Sequence, residues 1–310
     1  MGIIEKAGEA ALDLAKNEAT LDKTSNIVNM LFPYVGLTKK ALDMYISDIE
    51  KSDLPSESKL IAVLNAKNTI KKLKNQKNIA EIALDTAKED TDFTEKSGVN
   101  SEWLERFMDS AGFVSDEDVQ AVWGKILGKE FENPGSTPSN MIRILSEITP
   151  TYAQAFRKIC SMQMLIVSLD KNGVITDKRL GVVVPITNNK RKLDELGLQF
   201  SILNELETLG LIKMEIVNGY ASTGVVGEIV LLCVAGETVE VEICRKNQIP
   251  IGNILLTDAG MCLENITPAE TIDGYSEWVK RYMRSQRVKL KEHTEYQIIQ
   301  EENVIRCEKL

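Results

Sequence analysis

Residues 101–160 read SEWLERFMDSAGFVSDEDVQAVWGKILGKEFENPGSTPSNMIRILSEITPTYAQAFRKIC, and three helices with the start of a fourth are legible in them. Trp103, Leu104, Phe107 and Met108 follow the i, i+1, i+4, i+5 spacing of one apolar helical face, which Gly112 ends. The second helix is expected to begin at Ser115, whose hydroxyl can accept from first-turn amides while Asp118 answers as the acidic member of a capping box. Val119, Val122, Trp123, Ile126 and Leu127 then form its apolar stripe. Asp116, Glu117 and Asp118 suit the positive end of the helix dipole, which accounts for this acidic run without a metal. The loop ENPGST breaks the helix at Pro134-Gly135, after which Ser139 is expected to cap a third helix carrying Met141, Ile142, Leu145 and Ile148. Thr149-Pro150 reads as the cap and first position of a fourth.

On the N-terminal side the pattern stays helical. Ile3, Ile4, Ala7, Ala10, Ala11, Leu14 and Ala15 give residues 2–19 an Ala-rich amphipathic face, and helical patterns continue over residues 37–49 and 56–88. Lys71, Lys72, Lys74 and Lys77 are followed by Glu81, Asp85 and Glu89, which reads as a solvated helix face. On the C-terminal side LGVVVPI (residues 180–186), EIVLLCV (228–234) and TVEVEI (238–243) read as strands, interleaved with a helix over residues 198–209. The segments QFSILNELETLGLI, KMEIV and ILLTDAGMCLENI follow in the order helix, strand, helix, as in a winged-helix-like module. The expected fold class is therefore α+β, a helical N-terminal half followed by a mixed, winged-helix-like C-terminal domain. The expected organisation is a helical region (residues 1–95), a helical signature domain (96–165), the winged-helix-like α+β domain (166–290) and a C-terminal tail (291–310).

Composition narrows the function. The net charge of −9 disfavours wholesale attraction to phosphate backbones or anionic lipid. Glu5, Lys6 and Glu9 interrupt what a signal peptide would need, Lys6 stands where a myristoylation motif wants Ser or Thr, and Pro33 interrupts the apolar run of residues 27–37. No integral membrane segment and no lipid anchor are expected, and the location expected is cytoplasmic. Cys160, Cys233, Cys244, Cys262 and Cys307 form no CxxC pair, and His293, the single histidine, lies in a polar stretch. No catalytic, cofactor-binding or metal-binding residue is assigned, and no cofactor is expected.

The stretch VSDEDVQAVWGKILGKEFENPGS resembles a bacterial group filed as domain of unknown function 2806 and is more distantly similar to the Abi-alpha (abortive infection alpha) proteins. The pattern carried is Trp103, Phe107, Val114-Ser115-Asp116-Glu117, Gln120, Trp123, Lys125-Ile126-Leu127, Glu130 and Pro134-Gly135-Ser136, with Ala153 and Phe156 downstream. Leu209-Gly210-Leu211-Ile212 and Leu256-Thr257-Asp258-Ala259-Gly260 extend it, while TPSNMIRIL replaces the group's usual Ser-Leu-Arg-Thr-Leu. The resemblance implies a role in phage resistance as sensor, effector or interaction component, and it transfers no catalytic residue.

Three functions compete at this point. The first is a non-enzymatic interaction protein of antiphage defence, with a protein partner, a phage component being one candidate, and with homo-oligomerisation expected. The C-terminal run EWVKRYMRSQRVKLK (residues 277–291) is its candidate contact segment, through Trp278, Arg281, Tyr282, Arg284 and Arg287. A helix that merely covers its own domain explains the same pattern. The second is a winged-helix DNA-binding regulator, disfavoured because Asp194, Glu195, Glu205 and Glu207 lie in or before the groove-entering helix and the wing VNGYASTGVVGE has no cation. The third is a hydrolase or nuclease, for which no HExxH, GxSxG or Walker A pattern is present.

Overall fold

A computed structural model describes residues 30, 31, 34, 39–186, 190–243, 247–291, 296–301 and 304–309. The Ala-rich stretch 2–19, Cys244 and His293 lie outside the described residues. The fold is α+β, with helices in the first half and strands with a few helices in the second. The chain divides into two compact units, Met1–Ser146 and Glu147–Leu310.

The first unit is built around one long helix. Helices α1 (Lys39–Lys51) and α2 (Ser56–Thr86) are followed by a 3-10 turn (Glu95–Ser97), α3 (Ser101–Ala111), α4 (Glu117–Glu132) and α5 (Met141–Glu147). With 31 residues and neither Gly nor Pro inside it, α2 runs about 46 Å at 1.5 Å per residue. It packs against α4 at a notch of small residues. A Cβ on Gly124 would lie 2.4 Å from Ile82 Cγ2, and one on Gly128 would lie 3.1 Å from the Ala83 carbonyl oxygen. Side chains at these two positions would push the helices apart. Trp123, Ile126 and Leu127 of α4 are fully buried, whereas Val119 and Val122 are only half-buried.

Two caps fall later than the sequence suggests. The N-cap of α4 is Asp116, which accepts from the Val119 amide at 3.0 Å, and not Ser115. The reason is tertiary: the side-chain amides of Asn75 on α2 and Gln120 on α4 hold residues 112–115 in a tight turn, so the helix starts one residue on. Likewise α5 begins at Met141, with the Ile144 amide donating to the Asn140 carbonyl, which puts Asn140 rather than Ser139 at the cap position.

The second unit opens with α6 (Pro150–Ser161), capped as expected by Thr149, which accepts from the Tyr152 amide. A five-stranded antiparallel sheet follows, in the order β2-β1-β5-β6-β9. Its strands are β1 (Gln163–Leu169), β2 (Ile175–Val182), β5 (Ile229–Val234), β6 (Glu237–Ile243) and β9 (Lys289–Leu290). Strand β1 was not legible as one, and β2 begins earlier than residue 180. Strands β5 and β6 meet in a two-residue turn with Ala235 at φ 49° and Gly236 at φ 81°, positive at both central positions as a type I′ hairpin turn requires.

Between these strands come α7 (Lys190–Glu195), α8 (Phe200–Leu209), β3 (Ile212–Met214), β4 (Tyr220–Thr223), β7 (Gln248–Gly252), β8 (Ile254–Leu256) and α9 (Asp258–Glu264). Strand β3 pairs with β8. The stretch read as a wing, residues 217–228, contains β4, which pairs with the distant β7 instead of folding on itself. Helix α10 (Tyr275–Ser285) precedes β9, and the stretch read as a tail carries an antiparallel pair, β10 (Tyr296–Glu301) and β11 (Val304–Lys309). Val279 and Met283 of α10 share a small cleft with Leu232, Val234 and Val239, on one face of the sheet. Tyr296 lies on the opposite face, against Val167, Leu169 and Leu231. Both faces being covered, β1 is apolar almost throughout.

Candidate functional site

The signature residues of the first unit converge on the turn between α3 and α4. Trp103, Phe107 and Trp123 form a ring stack with centroids 4.9 and 4.8 Å apart. Beside it, α2 supplies side-chain amides that donate to carbonyls in the last turn of α3 and in the turn that follows. Asn75 donates to the Gly112 carbonyl at 2.8 Å and Gln76 to the Met108 carbonyl at 2.8 Å. Gln120 donates to the Val114 carbonyl at 2.8 Å and to Asn75 Oδ1 at 3.3 Å, and it accepts from Asn78 at 3.2 Å. Asn75 also approaches Ser115 Oγ at 3.4 Å. Asn75, Gln76 and Gln120 are buried, so losing one partner would strand a polar group at a cost of about 1–3 kcal/mol.

Glu130, another signature position, is 3% exposed and accepts from the amides of Gly135 (2.7 Å) and Thr137 (2.8 Å). That carboxylate shapes the exposed Pro134-Gly135 turn, where Gly135 takes φ 81°. Sequence reasoning assigned Glu130 no role and missed Asn75, Gln76 and Asn78. The available signal was three amide side chains, Asn75, Gln76 and Asn78, within about one turn of the helix.

The weaker motifs of the second unit also turn out to be one packed feature. Gly210, at φ 86°, ends α8; Thr257 Oγ1 donates to the Gly210 carbonyl at 2.6 Å and accepts from the Gly260 amide at 3.0 Å. A Cβ on Gly260 would stand 2.1 Å from the Leu211 carbonyl oxygen. Leu209-Gly210-Leu211-Ile212 and Leu256-Thr257-Asp258-Ala259-Gly260 are therefore two sides of one junction. On the adjoining α8 the exposed residues are Phe200, Ser201, Asn204, Glu205 and Thr208, none of them a cation.

Residues 64–280 match the family described as protein of unknown function, DUF2806. The chain belongs to this family. Comparisons with curated proteins and with solved structures return no match.

In this DUF2806 chain the α10 segment splits by burial. Trp278 is 4% and Tyr282 6% exposed, both in the core of their own unit, whereas Arg281, Arg284 and Arg287 are exposed. Lys280 bridges Glu237 (2.5 Å) and Glu277 (2.9 Å); the hydrogen bond from Lys280 holds the Glu237 carboxyl below its ordinary range, and Glu237 in turn raises Lys280. Lys291 pairs with the buried Glu240, which also accepts from the Tyr296 hydroxyl at 2.7 Å. Burial pushes the Cys160 thiol well up, so it stays protonated at neutral pH. Among the described residues no group of three or more His, Cys, Asp or Glu is placed to hold a metal ion. No described helix is long and apolar enough to cross a membrane.

One apolar surface of this DUF2806 chain stands apart. On the N-terminal half of α2, Leu60, Ile61 and Leu64 are 63%, 60% and 53% exposed, with Met44 and Leu54 also exposed nearby in sequence. Single exposed aliphatics are ordinary, but three within five residues on a helix form a contiguous patch of the kind that marks a contact site.

Proposed function

We propose that this DUF2806 protein is a non-enzymatic interaction protein of bacterial antiphage defence, of abortive-infection type, working in the cytoplasm through protein contacts. The observation that carries the contact part is the exposed Leu60–Ile61–Leu64 surface of α2. Placing water against it costs roughly 25 cal/mol for each Å² that a partner would cover. The defence part rests on the resemblance to the Abi-alpha proteins in residues 101–160.

The test is phage plating on a bacterial host with and without the gene, using the wild-type chain and Leu60→Ser/Leu64→Ser. The wild type is expected to lower plating efficiency for at least one phage. The double variant is expected to lose that protection at unchanged protein abundance. Absence of protection across a broad phage panel would overturn the defence reading, and protection indifferent to the double substitution would overturn the assigned contact surface.

A further inference from the structure

The bare face of α2 carries an ordered charge pattern. Glu57, Leu60, Leu64, Lys67, Lys71 and Lys74 are spaced alternately by three and four residues, which lines them along one side of a helix. All six are exposed. Among the described residues no ion pair or hydrogen bond engages the side chains of Lys67, Lys71 or Lys74. Acidic groups gather at the opposite end of the stripe. Asp53 is exposed in the turn before α2, and Lys59 Nζ donates to the Glu50 carbonyl at 3.0 Å, which sets the exposed Glu50 beside the first turn of α2. The stripe is thus acidic at one end, aliphatic in the middle and basic at the other.

Resting on the reading that this face takes a protein, we infer that its occupant is a second copy of the chain, paired antiparallel through α2. Setting Leu60 opposite Leu64 of the second copy places Glu57 opposite Lys67 of that copy, and the exposed Asp53 and Glu50 add negative charge at the end of the stripe that meets the basic end of the second copy. Two-fold symmetry repeats every pair, so one face supplies both halves of the complement, as an isologous interface demands. A parallel pairing in register would instead oppose Lys67, Lys71 and Lys74 to their own copies and align the two helix dipoles, both repulsive. An unrelated partner would need no such self-complementary order. Facing helices with a short apolar centre bury less than the roughly 1,200–2,000 Å² of a standard stable interface, so the dimer is weak and concentration-dependent.

Sedimentation equilibrium of the full chain over about 1–200 μM tests this, since micromolar dissociation falls inside that range. The expected result is a monomer–dimer equilibrium weakened by salt and abolished by Leu60→Ser/Leu64→Ser with helical content unchanged. Glu57→Lys alone and Lys67→Glu alone are each expected to weaken it about tenfold, since each turns two attractive pairs repulsive. The double exchange Glu57→Lys/Lys67→Glu is expected to restore it, which a merely structural role for either residue would not do. A wild-type chain that stays monomeric throughout overturns the inference, as does a dimer indifferent to the leucine changes or one that the double charge exchange fails to rescue. If the dimer fails while the leucine changes still abolish phage protection, the contact surface stands and its occupant is another protein.

Discussion

The two halves of α2 present one helix in two environments. Over residues 75–83 it is sealed: Ile79, Ala80 and Ala83 are fully buried, Asn75 donates to the Gly112 carbonyl in the α3–α4 turn and Gln76 to the Met108 carbonyl in the last turn of α3. Over residues 60–64 it presents three large aliphatics to solvent. The bulkier residues lie on the uncovered half. Close helix packing depends on matching notches, here Ile79 and Ile82 against Gly124 and Ala83 and Ala87 against Gly128, and not on apolar volume alone. Among the described residues of their unit Leu60 and Leu64 face no such notch, which is why they read as surface awaiting a partner.

The comparison breaks most sharply at Trp123, which is fully buried on α4 beside the sealed half. Trp123→Ala is expected to destabilise the first unit by about 3–5 kcal/mol, read from urea unfolding followed by circular dichroism. A loss below about 1 kcal/mol would mean that the sealed half is not a packed core. Next in size, Asn75→Ala should cost about 1–3 kcal/mol by stranding the Gly112 carbonyl, and hydrogen exchange should rise locally in residues 112–116. Unchanged protection there would detach the amides from the turn they are assigned to hold. Smallest is Leu64→Ala, expected within about 0.5 kcal/mol of wild type at concentrations where the chain is monomeric. A loss like that at a core leucine would show that Leu64 is covered by its own chain and would erase the contrast.

Much of this was legible in residue order. Local signals carried α3, α4 and α6: Thr149-Pro150 is a cap followed by a residue preset for the first turn, Trp103 and Phe107 sit four residues apart on one face of α3, and Trp123, Ile126 and Leu127 line one face of α4. Strand β5 was readable from its apolar run and β6 from its alternation of apolar and polar residues. Strand β1 was not, because only Met162 separates it from α6 and no Gly, Pro or Asn marks the change of period. Strand β7 was obscured by Pro250, and its partner β4 lies some 25 residues away in sequence. The choice of Asp116 over Ser115 as cap could not be made locally, since both side chains are competent caps and only the pull of Asn75 and Gln120 on the turn distinguishes them.

What the sequence determined by itself is therefore the set of interactions that close within a few residues: helix faces, the Thr149 cap, the β5–β6 hairpin and the positions that make up the family signature. Only the tertiary structure decided which faces are covered. Trp278 and Tyr282 on α10 and Leu60 and Leu64 on α2 share the same helical periodicity, yet the first pair is buried and the second is exposed. Periodicity states that a face is apolar, whereas burial depends on which distant element reaches it, and that depends on backbone approaches such as Gly124 on Ile82 and Gly260 on Leu211 that join segments far apart in the chain.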